Sequence, residues 1–398
     1  MKTLNDLNVE GKKTFVRVDY NVPLEGGKIV SDARIQATLP TLRALLEQKA
    51  CIIIAAHLGR PKGKKTPEFS LKPCADHLSK ILAQPVEFID DCIGPKVKTK
   101  VKELKPGSIL MLENLRFYPG EEKPEEHPEF AKQLKELADV YINDAFAVSH
   151  RKHASVYQVP ILFKEQAAFG LLMEKEIQVL GQNLINEPKR PFYAVIGGSK
   201  VSTKLGVLKA LLKKVDGLML GGGLAYTFLK ASGAKVGKSL VEDDFIDEAK
   251  AVMELAKERG AKIELPIDVL ASKSHDGSAP AQSIDLEIGI SEDQEGVSIG
   301  PGTQAAWLKI LADVKTVFWN GPLGIYEVEA FAGPTEGFAK GVSELNAVKI
   351  AGGGDCVAAI GKAKLEKGFT YLSTGGGAAL EFIEKGTLPG IEAIVKSP

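Results

Sequence analysis

Phe192-Tyr193-Ala194-Val195-Ile196-Gly197-Gly198-Ser199-Lys200 is a five-residue apolar run followed at once by two glycines and a lysine. Gly217-Leu218-Met219-Leu220-Gly221-Gly222-Gly223 repeats the pattern, and the stretch between them, from Val201, reads as a helix. Short apolar runs rich in β-formers, each closed by glycines and separated by a helical stretch, are the signature of parallel strands joined by crossover helices. The same alternation extends outward in both directions. Upstream the expected strands are Thr14–Val18, Cys51–Ala56, Ile109–Leu112 and Val140–Ile142; downstream they are Lys262–Leu265, Thr316–Trp319, Val348–Ala351 and Thr370–Leu372. Ile35, Leu39, Leu42, Leu45 and Leu46 recur at helical spacing between the first two. The fold class implied is α/β: two domains, each a parallel sheet flanked by helices in Rossmann-like fashion, joined by a long hinge helix. Ala168–Ile185 reads as that helix, and Asn186-Glu187-Pro188-Lys189-Arg190-Pro191 as the turn after it. The expected boundaries are 1–168 for the first domain, 169–191 for the helix and hinge, and 192–386 for the second domain.

The chain has 398 residues, more than one hydrophobic core usually organises. It is 44% hydrophobic and 26% charged, with 51 basic and 51 acidic residues and a formal net charge of zero. That balance argues against nucleic acid as a partner. No apolar run approaches the ~20 residues of a membrane helix, so no membrane partner is expected. The first residues, Met1-Lys2-Thr3-Leu4-Asn5-Asp6, lack a signal-peptide core. Cys51, Cys74, Cys92 and Cys356 have no metal-type spacing and read as reduced thiols. A cytoplasmic location is the expectation.

Arginine and glycine are divided along the chain. Arg17, Arg34, Arg43, Arg60, Arg116, Arg151 and Arg190 precede the second domain and only Arg259 follows, whereas thirty of the forty glycines come after Arg190. Arginine grips phosphate and carboxylate through a planar fork, and glycine lets backbone N–H groups close on phosphates. Two sites for two different anions follow. Ligands of open parallel sheets bind beyond the carboxyl ends of the strands, and there the first half carries Asp19 and Asn21, His57 and Arg60, Arg116, then His150 and Arg151, with Arg34 opening a helix. A structural salt-bridge network is the competing reading of these residues.

The second half has glycines at four strand ends: Gly197-Gly198, Gly221-Gly222-Gly223, Gly352-Gly353-Gly354 and Gly375-Gly376-Gly377. Helix N-termini opened by such loops bind phosphate through free N–H groups. With a helix from Val201, Lys200 and Lys204 lie one turn apart and face one phosphate chain. Asp355 either caps a helix or holds Mg²⁺ on a nucleotide, since Mg²⁺ takes one or two carboxylates plus phosphates. Gly233-Ala234-Lys235-Val236-Gly237-Lys238-Ser239 is one residue short of a Walker loop and follows a helical pattern, and His150-x-x-His153 lacks a third metal ligand. No Gly-x-Gly-x-x-Gly fingerprint follows the first strand of either half, which removes the support for a nicotinamide-dependent enzyme.

Together these residues resemble the phosphoglycerate kinase family nearly end to end. Arg17-Val18-Asp19-Tyr20-Asn21-Val22-Pro23 resembles its signature, and further matches are His57-Leu58-Gly59-Arg60-Pro61, Leu112-Glu113-Asn114-Leu115-Arg116-Phe117, Trp319-Asn320-Gly321-Pro322, Gly352-Gly353-Gly354-Asp355 and Ser373-Thr374-Gly375-Gly376-Gly377. The resemblance implies a 3-phosphoglycerate site at Asp19, Asn21, Arg34, His57, Arg60, Arg116 and Arg151. It implies a site for ATP or ADP at Gly197, Gly198, Lys200, Lys204, Gly221, Gly222, Asn320, Pro322 and Glu327, with Glu327 on the ribose, and at Gly352, Gly353 and Gly354. Asp355 would serve Mg²⁺ on the nucleotide. Arg34 and Lys200, with amides at Gly353 and Gly376, would bear on the transferred group. The resemblance also implies a monomer that transfers phosphoryl between 1,3-bisphosphoglycerate and ADP after domain closure, and a segment 387–398 that packs back on the first domain. Departures are Cys356 for a threonine or serine, Ala379 for a serine, Ser298 for an aspartate, and Ala147-Val148-Ser149 before His150.

Overall fold

The computed structural model describes residues 1–396, so Ser397 and Pro398 lie outside it. The chain divides into two compact units. One comprises Met1–Gln178 with the segment from Thr387 on, and the other Val179–Gly386.

The first unit is built on six strands: β1 Lys13–Val18, β2 Cys51–Ala55, β3 Val86–Phe88, β4 Ile109–Met111, β5 Val140–Asp144 and β6 Ala167–Phe169. Their order is β3-β4-β2-β1-β5-β6, every neighbour parallel. The central strands are buried along their whole length, as a parallel sheet covered on both faces requires. One face packs Val16, Val18, Ile52 and Ile54 against Ile35, Leu39 and Leu42 of α1 (Ala33–Glu47).

The second unit has strands β7 Phe192–Ile196, β8 Gly217–Leu220, β9 Lys262–Glu264, β13 Thr316–Asn320, β14 Val348–Gly352 and β15 Tyr371–Ser373, in the order β9-β8-β7-β13-β14-β15, again all parallel. Trp307, Trp319 and Phe338 anchor its core, with the Trp319 and Phe338 rings edge to face at 5.3 Å. A small antiparallel sheet, β11-β10-β12, joins β10 Asp268–Ser272, β11 Gln282–Asp285 and β12 Glu295–Ile299. Sequence reading missed it, because β11 is mostly exposed and carries no apolar run.

Two expected helices differ. Ala168–Ile185 is not one helix: Ala167–Phe169 joins the sheet beside β5, Gly170 ends the strand, and α2 runs only over Leu171–Leu180 before a π-helical turn at Gly181–Asn186. Thr41 Oγ1 and the Asp144 carboxylate accept the first N–H groups of α2, so the start of this helix is set by tertiary partners that the periodicity does not contain. The helix expected from Val201 starts at Leu205 (α3, Leu205–Leu211), leaving Lys200 and Lys204 on the turn before it. Lys200 and Lys204 are therefore not stacked on a helix face. At the C-terminal end, α7 (Pro389–Val395) packs within the first unit, where Gly390 N donates to Ser149 O at 2.8 Å. A Cβ on Gly390 would lie 2.9 Å from Ser149 Cβ, so only glycine fits.

Candidate anion-binding sites

In the first unit the ends of β1, β2 and β4 converge. Asp19, just past β1, accepts from Asn21 N at 3.1 Å and pairs with Arg34 on the first turn of α1. Asn21 Oδ1 accepts from Gly59 N at 2.8 Å, which ties the β1 loop to the β2 loop. Arg116, after β4, is buried and donates to the Gly59 carbonyl at 2.8 Å, with Glu122 3.2 Å from its Nε. Asn114 braces the same loop by donating to Leu58 O at 2.7 Å and Phe69 O at 2.9 Å. His57 is buried among these cations. Burial first, then the charges of Arg17, Arg116 and Arg34, hold its pKa well below the ordinary imidazole value, so it is neutral. His153 is held near 3 by burial and then by Arg116, Arg17 and Arg151. Arg60 and Arg151 are exposed, Arg60 on the His57–Gly59 loop and Arg151 close enough to Arg116 and His153 to act on both.

Six of the seven residues expected here are thus linked by bonds, ion pairs or shared electrostatics, and Arg60 adjoins them in the chain. Sequence reading gave no role to Arg17, whose guanidinium lies under His57. The signal was present: one arginine inside the buried run Phe15-Val16-Arg17-Val18.

In the second unit three loops at the ends of β7, β8 and β13 press backbone to backbone. Gly197 N donates to Asn320 O at 2.8 Å and Gly198 N to Pro322 O at 3.1 Å. A Cβ on Gly197 would lie 2.1 Å from Pro322 O, and one on Gly222 2.8 Å from the same oxygen. Gly222 also has φ +67°, a region that side chains disfavour. Helix α4 (Gly223–Ala231) opens directly from this junction, while α5 (Gly354–Lys362) and α6 (Gly377–Lys385) open from the glycines after β14 and β15. Each brings a helix start to these loops, although Leu224 N already donates to Gly198 O and Ala378 N to Gly375 O, both at 2.9 Å.

Asn320 is the junction's tie. Its Nδ2 donates to Gly352 O at 2.7 Å, and its Oδ1 accepts from Lys204 Nζ at 2.6 Å. Burial lowers the Lys204 pKa to about 8, with Cys356 and Asp355 acting in the opposite sense. Lys200, by contrast, is exposed on the turn, and Glu327 is exposed after β13. Asp355 is exposed in the first turn of α5, next to Gly353 and Gly354. No group of three or more metal-binding side chains occurs among the described residues. A lone carboxylate at a glycine-rich helix start fits Mg²⁺ carried on a nucleotide, which needs few protein ligands. Cys356 points the other way: its thiol is buried, 3.9 Å from Trp319 O, so it packs with the core.

A family model described as phosphoglycerate kinase matches residues 4–386. Proteins named phosphoglycerate kinase from Chlamydia abortus and Chlamydia muridarum are 47% and 48% identical over 397 and 394 residues, covering 99% and 98% of this chain and 98% of each relative. Among solved structures, phosphoglycerate kinase from Coxiella burnetii has a TM-score of 0.86 at 40% identity, covering 99% of this chain and 98% of its own. The Pyrococcus horikoshii enzyme has 0.87 at 33% identity, covering 100% and 99%.

Proposed function

The chain belongs to the phosphoglycerate kinase family, and we propose how its own residues perform that family's glycolytic reaction, the reversible phosphoryl transfer between 1,3-bisphosphoglycerate and ADP that gives 3-phosphoglycerate and ATP. The supporting observation is the division of donors: guanidinium and imidazole groups at the strand ends of one unit, backbone amides and one buried lysine at those of the other.

In the ATP-consuming direction the nucleophile is the carboxylate of 3-phosphoglycerate. With a pKa near ~4 it is ionised at neutral pH, so no general base is required. His57 is a poor candidate for one, because burial and the surrounding cations hold its basicity well below that of an ordinary imidazole. In this proposal Arg60, Arg116, Arg151 and His57 hold the substrate phosphate, and Asp19 and Asn21 hold the hydroxyl and carboxylate end. Gly197, Gly198, Gly221, Gly222 and Pro322 form the nucleotide's seat, Glu327 takes the ribose hydroxyls, and Lys204 meets the phosphates. Mg²⁺, held by Asp355 and the phosphates, would supply neutralising charge. Arg34 and Lys200, with the amides at Gly353 and Gly376, stabilise charge on the transferred group once donor and acceptor are in line. We further propose a monomer, and a cytoplasmic location that four buried free thiols support. No helix among the described residues is long and apolar enough to cross a membrane.

The test is ADP formation from Mg-ATP with and without 3-phosphoglycerate, on wild type and Arg34→Ala. Turnover should require 3-phosphoglycerate and fall about 10²–10³-fold in the variant, the usual loss for one transition-state donor. The KM for ATP should stay within about twofold, since Arg34 belongs to the other ligand's unit. An equal, large loss of ATP affinity would overturn the assignment.

A further inference from the structure

Arg17 is the penultimate residue of β1, next to the strand end that carries Asp19, and is 1% exposed. A guanidinium so buried needs both a counter-charge and acceptors. Its Nε donates to Ser155 Oγ at 2.8 Å, its Nη1 to the Val18 carbonyl, and its Nη2 lies 3.2 Å from His57 Nδ1. Glu121, fully buried, supplies the charge at 3.9 Å from Arg17 Nη2. Ser155 bridges the two: its hydroxyl accepts from Arg17 and donates to Glu121 Oε1 at 2.6 Å, and its N–H donates to Glu121 Oε2 at 3.0 Å.

A guanidinium has donors only. The contact with His57 therefore requires a lone pair on Nδ1, which places the imidazole proton on Nε2. The alternatives are excluded by the same contact, since the Nδ1–H tautomer and the imidazolium would both point a proton at an Arg17 donor. Asp19 Oδ1, at 3.7 Å from Nδ1, is too far to accept that proton. The other charged or titratable groups acting on His57 are Arg116, Arg34 and His153, and none of them favours the imidazolium.

We propose that Glu121 and Arg17, bridged by Ser155, are positioning residues that fix His57 in its neutral Nε2–H form, so that His57 meets the anionic substrate as a donor. Glu121 sets the charge that keeps Arg17 in place, and Arg17 sets the tautomer. The proposal rests on the reading of this site as the 3-phosphoglycerate site. It makes substrate binding insensitive to imidazole protonation across the physiological range, because His57 has no second protonation state to enter.

Nitrogen-15 spectra of histidine-labelled wild type between pH 5 and 8, with His57 assigned by loss of its signals in His57→Gln, test the tautomer without substrate. A single neutral Nε2–H form that does not titrate is expected; an Nδ1–H form, or titration in that range, overturns the proposal. Kinetics then separate positioning from packing. Glu121→Gln should raise the KM for 3-phosphoglycerate about tenfold or more while leaving that for ATP within twofold. Arg17→Gln combined with Glu121→Gln restores charge balance. It should return the thermal midpoint toward wild type while the 3-phosphoglycerate KM stays high and His57 shows both tautomers. Recovery of KM and tautomer along with stability would mean the pair only fills the core, and the proposal fails. Should Glu121→Gln not fold, the wild-type spectra and the double variant still decide. If wild type shows no 3-phosphoglycerate-dependent turnover, the reading of the site fails instead, whatever the spectra report.

Discussion

Replacing Lys204 with methionine tests whether the nucleotide site holds a cation against its solvation preference. The chains are similar in length, so the substitution removes the charge and keeps most of the packing. Burial lowers the Lys204 pKa from 10.5 to about 8. Linkage converts that difference into about 3 kcal/mol of destabilisation at pH 7, at about 1.4 kcal/mol per pH unit. The sign follows from proton counting. Between pH 8 and 10.5 the unfolded chain binds more protons at this site than the folded one, so wild-type stability rises with pH there, and the penalty falls to about 1.5 kcal/mol at pH 9.5. Methionine also leaves Asn320 Oδ1 without its 2.6 Å donor, at a cost of about 1–3 kcal/mol that is independent of pH. Lys204→Met should therefore be near neutral or slightly stabilising at pH 7. Relative to wild type it should lose about 2 kcal/mol on moving to pH 9.5. Urea unfolding followed by tryptophan fluorescence is the assay, because both tryptophans, Trp307 and Trp319, are buried in the unit that contains Lys204. ADP affinity, measured by calorimetry, should fall at least tenfold in the same variant. A difference between variant and wild type that is flat from pH 7 to 9.5 would refute the buried-cation reasoning, whatever happens to ADP.

Three further outcomes follow. Gly222→Ala forces a Cβ to 2.8 Å from Pro322 O and 2.9 Å from Gly198 O at φ +67°, so ADP affinity should drop more than tenfold by calorimetry, with unfolding of the second unit easier by about 1–3 kcal/mol; affinity within twofold of wild type would contradict it. Asp144 is fully buried with its pKa raised to about 7 by desolvation, so between about pH 4 and 7 the folded chain holds the extra proton and stability from this group declines as pH rises. Asp144→Asn should thus stabilise by a few kcal/mol at most at pH 8 and by little at pH 5 in scanning calorimetry; equal effects at both pH values would exclude the shift. All four thiols are 0–2% exposed, so a disulfide reagent should label none within minutes on the native protein and all four in urea; rapid native labelling of Cys356 would show that it opens toward the nucleotide loops.

The sheet strands were legible because parallel strands buried on both faces are continuous apolar runs: Cys51–Ala55 and Phe192–Ile196 announce themselves. Val86–Phe88 and Ala167–Phe169 did not: the first is interrupted by Glu87, and the second runs into the apolar pattern read as a helix over Ala168–Ile185. The helix start at Leu171 was misread for a related reason. Asp144 and Thr41 define it through the hydrogen bonds of Leu172 and Leu171, from 28 and 130 residues away, and no local periodicity encodes such partners. The site residues were legible as types at strand ends, while their partners were not.

Those partners explain why the cations remain available to anions. Lys204 is held by an amide oxygen and Arg17 by the Val18 carbonyl and a serine hydroxyl, while Arg116 has the Gly59 carbonyl beside the Glu122 carboxylate, 3.2 Å from its Nε. A neutral acceptor orients a buried cation without cancelling its charge, whereas a carboxylate in contact would make it a closed ion pair with little left for a phosphate. Glu121 keeps to this rule by standing 3.9 Å from Arg17 with a serine between them. Arg116 and Arg34 depart from it: Glu122 contacts the first, and Asp19 holds the second directly, at a partly exposed position where exchange of one anion for another is least costly. Arg34, assigned with Lys200 to the moving phosphoryl, would then be the first unit's cation that trades partners during turnover.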